Sequence, residues 1–330
     1  MSRNNNFNTT FRSKTDHISI LNIDTPGADG LYNIRPLPIP TTYQSASHNQ
    51  EIDVHAISLY ALPAKGNEPA KLRLMINNHR PPVYVDGGGD VAKYGANSTI
   101  EVFELRRGSE VLEFVRTIWS PEVLVTPNNL VDLGDGEGGG VLVTNDHSRK
   151  VGKMRALEMF WGGGSIAYCP NHQTPCHIAT PSTTFNFPNG ITQDPEGLIY
   201  VANSGTGTIT VLSLNTTTQM LDQIHEIDIK MPIDNLRVDS RWDVYVAGSP
   251  DVVGLVRSSS KMEGRDVGSS VFRVRMVGEE GVRRWEVVKV LEDVEGKILP
   301  ASTVVAHDAK TGNLWLGSVA SSFITVCEKI

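Results

Sequence analysis

The chain has 330 residues, of which 39% are hydrophobic, with 30 glycines, 18 prolines and a formal net charge of −7 at pH 7. This composition can supply a hydrophobic core, and the many glycines and prolines are typical of a fold rich in turns. The negative charge argues against a nucleic-acid or anionic-membrane partner, because such surfaces need clustered basic residues. No apolar run of about 18 residues occurs, so the sequence predicts no transmembrane segment.

Five stretches share one layout, in which a polar residue opens a short apolar strand that is followed by a turn and a second strand. They begin at Val54, Pro127, Phe185, Ile233 and Ala301. Their spacing of roughly 45 to 75 residues fits the blades of a propeller that carries loop insertions. The pattern therefore predicts an all-β propeller. Lys150 to Gly162 is the best candidate for a helix, and it is short.

Familiar catalytic motifs are missing from the sequence. GGSIA, from Gly163 to Ala167, lacks the last glycine of a nucleophile elbow and precedes a strand. There is no H-E-x-x-H and no paired C-x-x-C, which leaves zinc without its usual ligands. DLGDGEGGG near Asp132 lacks the EF-hand spacing, so we interpret it as a turn.

The polar residues that open the five strands form a candidate metal site. They are His55, Asn128, Asn189, the pair Asp234-Asn235 and the pair Ser302-Thr303. Because the innermost strand of each propeller blade lines the central channel, these side chains should converge on one axis. Amide oxygens with one carboxylate suit Ca²⁺, so Asn128, Asn189, Asp234 and Asn235 are the predicted ligands. The alternative for Asn189-Gly190 is an ordinary turn dipeptide.

Two histidines flank the same predicted axis. His55 opens one inner strand, and His79 ends the next strand of the same hairpin. Two imidazoles placed there could form a relay that deprotonates water near neutral pH, so we predict that both are catalytic. The remaining histidines are interpreted as hydrogen-bonded core or surface residues: His17, His48, His147, His172, His177, His225 and His307.

The cysteines and glycosylation sequons bear on the compartment. Cys169 and Cys176 lie at the two ends of a predicted hairpin loop, a spacing that suits a disulfide, although two nearby cysteines can also remain thiols. Sequons at Asn8, Asn97 and Asn215 would suit a glycoprotein. These features favour an exported ancestry, but the N-terminus shows no signal peptide, so the localisation stays open.

The ordered series VHAIS, INNHRP, STIEVFEL, PNNLVDLG, VTNDH, LEMFWGGGSIAY, FNFPNGI, IDNLRVD and ASTVV…GNLWLGSV…VCEKI resembles the serum paraoxonase/arylesterase family. The resemblance runs from about His17 to the C-terminus. It implies a six-bladed propeller that hydrolyses aryl esters or lactones with Ca²⁺. It also assigns catalytic calcium ligands to Asn128, Asn189, Asp234 and Asn235, and a histidine dyad to His55 and His79.

The sequence departs from the family at several positions. The acidic pair that the family carries in its first blade has no counterpart, so we expect an incomplete first blade, a propeller domain at 16–330 and a disordered segment at 1–15. Asn129 stands where the family has an Asp for a second, structural calcium, so that site is not expected to bind. Cys327 matches a family cysteine whose usual partner near the N-terminus is missing. A truncated gene model would explain these absences together.

Two other kinds of function compete with the calcium-dependent hydrolase of a small ester or lactone. One is a related six-bladed propeller of the gluconolactonase or strictosidine-synthase type, against which the His55/His79 pair argues. The other is a non-catalytic binding propeller that has lost its metal site, a reading favoured by the missing first-blade acids. The natural substrate and the oligomeric state cannot be deduced from the sequence.

Overall fold

A computed structural model describes the chain at residues 16–44, 52–66, 68–80, 82, 91–135, 139–171, 173–180, 185–251, 254, 267–278, 284–318 and 321–329. The segment 1–15, which the sequence predicts to be disordered, lies outside these residues, as do Asn8, His48 and His172. Among the described helices, none is long and apolar enough to cross a membrane.

The described strands form five antiparallel blades and one separate hairpin. The hairpin consists of β1 (Ile18–Leu21) and β2 (Ile34–Leu37). Blade A consists of β3 (Val54–Leu62), β4 (Lys71–Arg80), β5 (Asn97–Arg106) and β6 (Glu113–Ile118). Blade B consists of β7 (Pro127–Asp132), β8 (Val141–Asn145), β9 (Ser165–Cys169) and β10 (His177–Ile178).

The remaining three blades follow in chain order. Blade C consists of β11 (Pro188–Gln193), β12 (Leu198–Asn203), β13 (Thr208–Asn215) and β14 (Met220–Asp228). Blade D consists of β15 (Ile233–Val238), β16 (Val244–Gly248), β17 (Ser269–Val277) and β18 (Arg284–Asp293). Blade E has three strands, β19 (Ser302–His307), β20 (Leu314–Ser318) and β21 (Thr325–Cys327).

The first strand of each blade is the innermost one. β3 packs beside β7, β7 beside β11, β11 beside β15, and β15 beside β19. The buried apolar side chains lie between neighbouring blades, one cluster to each junction, as where Val201 of blade C and Leu142 of blade B share a cluster. The β-branched residues of these strands suit such a two-sided burial. The prediction of an all-β propeller is confirmed.

An aspartate fixes the turn after the inner strand in three of the blades. Asp194 comes directly after β11, Asp239 directly after β15 and Asp308 directly after β19. Each carboxylate accepts the backbone N–H of the residue two positions on, at 2.9, 2.8 and 3.0 Å. This local bond closes the turn and sends the second strand back along the first.

The resemblance implies six blades with an incomplete first one, and the described residues form five blades and one two-stranded hairpin. The β1–β2 hairpin covers the junction between blades A and E. Ile18 and Leu37 pack into the core of blade A beside Leu74, while Tyr32 between the two strands meets Trp315 of β20 edge to face, with ring centroids 4.7 Å apart. A two-stranded hairpin therefore contacts both blade A and blade E.

Two smaller predictions hold in the structure. Residues Lys153–Leu157 form a 3₁₀ helix that continues into the short α-helix α2, Glu158–Trp161; α1 spans Val91–Tyr94. Cys169, at the end of β9, forms a disulfide with Cys176, just before β10. Cys327 on β21 is a thiol.

Candidate functional site

A β-bulge occurs at the start of every inner strand. The pairing with the second strand shifts register between Val54 and Ala56 in blade A and between Ser302 and Val304 in blade E. The same shift occurs at 127–130, 188–191 and 233–236 in the other blades. Bulges redirect side chains and are common beside active sites. The extra residues are the ones that the sequence singles out: His55, Asn128, Asn129, Asn189, Gly190, Asp234, Asn235 and Thr303.

Asn189-Gly190 lies inside strand β11 and does not form a turn. A Cβ atom on Gly190 would lie 2.7 Å from Asn235 Cα and 2.9 Å from the carbonyl oxygen of Asp234. The glycine therefore allows β11 to approach the backbone of β15 closely. This close approach brings Asn189 next to Asp234.

Asp234 is a carboxylate surrounded by amides. Its Oδ1 accepts a hydrogen bond from Asn235 Nδ2 at 3.0 Å, and Asn189 also hydrogen-bonds to it. Burial raises the pKa of Asp234 to about 7, and only the bond from Asn189 opposes that shift. Asn235 Nδ2 also donates to the carbonyl oxygen of Thr303 at 2.9 Å, which ties blade D to blade E at the bulges.

These residues fit a hard cation. A poorly solvated carboxylate with a raised pKa is a group whose charge a bound cation would stabilise. The amides beside it offer oxygen donors once their side chains rotate, because the O and N ends of an Asn amide exchange by a flip. One carboxylate with two amides hydrogen-bonded to it matches the oxygen chemistry of Ca²⁺.

A second carboxylate lies close to Asn128. Asp146 follows β8, and its Oδ2 accepts Asn128 Nδ2 at 3.5 Å while its Oδ1 lies 2.7 Å from His147 Nδ1. Burial opposes its ionisation, but the bond and charge of His147, aided by Arg155, lower the pKa of Asp146 to about 2. Arg155 Nη2 lies 3.6 Å from Asp146 Oδ1.

His55 and His79 lie side by side, with ring centroids 4.7 Å apart and planes at 49°. His79 Nδ1 is 2.8 Å from Ser98 Oγ. His55 has exposed surface, yet the protein atoms around it reduce its solvation and lower the pKa of its imidazole. The charge of Asp146 opposes this shift, and Arg155 adds to it.

The structure thus places all six predicted residues at one end of the inner strands or next to it. Asp234 hydrogen-bonds to both Asn235 and Asn189. Asn128 instead contacts Asp146, whose negative charge acts to raise the pKa of His55. Sequence reasoning treated His147 as an ordinary histidine and did not consider Asp146. The sequence did offer one signal for Asp146 and His147: they come directly after β8, which pairs with the inner strand β7.

Comparisons with known proteins agree with this architecture. The sequence model of the Arylesterase family matches residues 55–325. The comparison with curated proteins finds no match. Among solved structures, the chain is similar to a periplasmic gluconolactonase from Pseudomonas aeruginosa, at 13% identity, with 92% of this chain and 72% of that chain covered and a TM-score of 0.50. It is also similar to a gluconolactonase from Xanthomonas campestris, at 13% identity, with 77% and 67% covered and a TM-score of 0.41. At such identity the likeness to the Pseudomonas structure indicates the fold alone.

Proposed function

The chain belongs to the arylesterase family, and we propose that it hydrolyses aryl esters or lactones with the help of Ca²⁺ and of the pair His55 and His79. The observation that carries this proposal is the pair of bulges that places both Asn189 and Asn235 in hydrogen-bond contact with Asp234. The geometry and the family membership support the same chemistry independently.

Asn128, Asn189, Asp234 and Asn235 would hold the calcium ion. When bound, calcium supplies a Lewis acid for the substrate carbonyl and positive charge for the oxyanion that develops there. Since calcium affinity depends on the number of charged ligands, a set with one carboxylate should bind weakly. Asn189 and Asn235, which hydrogen-bond to Asp234, would orient its carboxylate toward the ion.

His55 would act as the general base. Its lowered pKa leaves the imidazole neutral near pH 7, which is the form that accepts a proton from water. The ionised carboxylate of Asp146 favours the imidazolium that results, and His79 stands within reach to share the proton. Water oxygen then adds to the carbonyl carbon, the bond to the leaving alcohol breaks, and the alcohol takes up the proton.

An apolar surface next to this site would bind the organic part of the substrate. Phe160 and Trp161 on α2 are 73% and 58% exposed. Asn186 Nδ2 donates to the carbonyl oxygen of Phe160 at 3.1 Å, and Arg155 ties the preceding helix to Asp146. The two aromatic side chains are thus held on a segment anchored at the site, where they suit an aryl or alkyl group.

Two finer features belong to the same proposal. The β1–β2 hairpin would take the place of a sixth blade, since it contacts both blade A and blade E. If the protein is exported, its glycan would be on Asn215, which is exposed, rather than on Asn97, which is 6% exposed and accepts Trp119 Nε1 at 3.0 Å. Peptide mass spectrometry of secreted material tests this, and a glycan on Asn97 would contradict it.

An ester assay on three proteins tests the function. Wild type should hydrolyse phenyl acetate or a simple lactone, and a calcium chelator should abolish the activity until calcium is restored. His55→Gln should lower kcat by about 10²–10⁴-fold. The matched control is His225→Gln, since His225 stacks on Trp285 in β18, away from the bulges, and should keep the wild-type rate. Wild-type turnover that persists in His55→Gln would rule out the proposed base.

A further inference from the structure

Arg237 extends its side chain across the central channel. It follows Asn235 by two residues on β15, and its Nη2 donates to the carbonyl oxygen of Ile57 on β3 at 3.2 Å. Its Nη1 donates to the carbonyl oxygen of Leu236 at 3.1 Å. β3 and β15 are not neighbours, because β7 and β11 lie between them in the ring of inner strands. The bond therefore joins two separated strands through the channel.

The charge of Arg237 has no carboxylate beside it among the described residues. Burial lowers the pKa of its guanidinium, and no acid contributes to that shift. Arg73 differs, since it pairs with Asp132 and Asp135. An arginine stays protonated at such a position, so the channel contains a fixed positive charge held by backbone carbonyl oxygens. A hard metal ion would use the same kind of oxygen.

Asn129 does not suit a second, structural calcium. Its Nδ2 donates to Asn235 Oδ1, and its Oδ1 accepts the backbone N–H of Leu130 at 2.7 Å. Where a structural calcium would need an aspartate, this amide brings no negative charge. A divalent ion farther along the channel would also be repelled by the guanidinium of Arg237.

We propose that Arg237 is a permanent internal cation that takes the place of a second metal ion and braces β3 against β15. This brace is needed because, among the described residues, β19 and β3 share no contact comparable to those that join the other inner strands. Arg237 thereby holds the strand that carries His55 in place relative to the strand that carries Asp234. The inference does not require that the bulge residues bind calcium.

Counting bound calcium tests the first half of the proposal. Equilibrium dialysis with radioactive Ca²⁺ should give at most one ion per wild-type chain and none for Asp234→Asn, because that substitution removes the one charged ligand of the bulges. Two ions per wild-type chain, of which Asp234→Asn keeps one, would show a second site and overturn the proposal. A wild type that binds no ion would contradict the proposed calcium-dependent function, but not the role of Arg237.

Thermal unfolding in metal-free buffer tests the second half. Arg237→Met should lower the Tm by roughly 3–8 °C. The matched control is Arg241→Met. Arg241 Nη2, like Arg237, donates to a backbone carbonyl oxygen, but its acceptor is Ala309, at 2.7 Å, in the neighbouring blade E and outside the channel. A smaller loss is expected for the control. Arg237→Lys, which keeps the charge, should fall between Arg237→Met and wild type. Equal losses of Tm in Arg237→Met and Arg241→Met would overturn the proposal, and so would an Arg237→Lys protein no more stable than Arg237→Met. If Arg237→Met fails to fold, Arg237→Lys decides, and its failure to fold as well would overturn the proposal.

Discussion

Asp234 is a partly exposed carboxylate next to amides, and the surrounding protein atoms reduce its solvation, which has a consequence for stability. The fold raises its pKa from the ordinary 3.8 to about 7, so the folded chain binds a proton more tightly than the unfolded chain does. The metal-free protein should therefore lose stability as the pH rises through this interval and change little above about pH 7.

The same shift predicts the effect of neutralising Asp234. At pH 8 without metal, Asp234→Asn should be more stable than wild type by on the order of 2–4 kcal/mol, because the amide has no charge to desolvate. Denaturant unfolding at pH 4 and pH 8 measures the difference. Asp222→Asn, on the exposed strand β14, is the control and should stay close to wild type at both pH values. An Asp234→Asn protein less stable than wild type at pH 8 would contradict the burial argument.

Asp146 should affect the proposed reaction through His55. Its negative charge raises the pKa of the imidazole against the lowering by burial. Asp146→Asn should therefore move the acidic limb of the kcat profile to lower pH, because His55 then loses its proton more easily. The rate should also fall about 10- to 100-fold, because the imidazolium is no longer stabilised.

A pH–rate series on wild type and Asp146→Asn tests this role. If Asp146→Asn loses activity but the acidic limb of its pH–rate profile stays at the wild-type pH, Asp146 only maintains the structure around His147. Asp228→Asn offers a control, since Asp228 is an exposed residue at the end of β14 and should change neither the rate nor the limb.

At the scale of the strands, Gly190 limits how far β11 and β15 can separate. Every atom that its Cβ would meet at close range belongs to the backbone of β15, so Gly190→Ala must push the two inner strands apart. We expect a loss of about 1–3 kcal/mol in stability and weaker calcium binding, because Asn189 moves away from Asp234. Gly108→Ala, in an open turn outside the ring, is the control and should leave calcium binding intact. Unchanged calcium affinity in Gly190→Ala would contradict the role of this close approach.

The repeated elements were the part of the fold most accessible from the sequence. Alternating β-branched residues and the polar residue that opens each stretch predict the inner strands of blades A to E, because both depend on local pattern. The Cys169–Cys176 disulfide was accessible for the same reason, as a local hairpin. The bulges were not predicted, because they depend on how each inner strand pairs with the next one. The contact of Asp146 with Asn128 could not be predicted either, because the two residues belong to different strands.

At the scale of the whole molecule, the number of blades could not be read from the chain alone. The strands β1 and β2 are short, lack the polar opening residue of the blades, and owe their place to Tyr32 against Trp315 and to the core of blade A. Arg237 was also unpredictable, since its bond to Ile57 joins residues far apart in sequence through the channel. Both features close a ring whose first and last inner strands make no comparable contact among the described residues.

The most direct test of the central claim is a calcium titration by calorimetry at pH 8, made on wild type and on Asp234→Asn. The bulges of blades B, C and D bring Asn128, Asn189 and Asn235 to the channel end where Asp234 lies, and Asp234 is the one charged member of the set. Wild type should bind calcium weakly, with one ion per chain, and Asp234→Asn should show no binding heat. Equal calcium affinity in the two proteins would contradict the site and the calcium-dependent chemistry assigned to it.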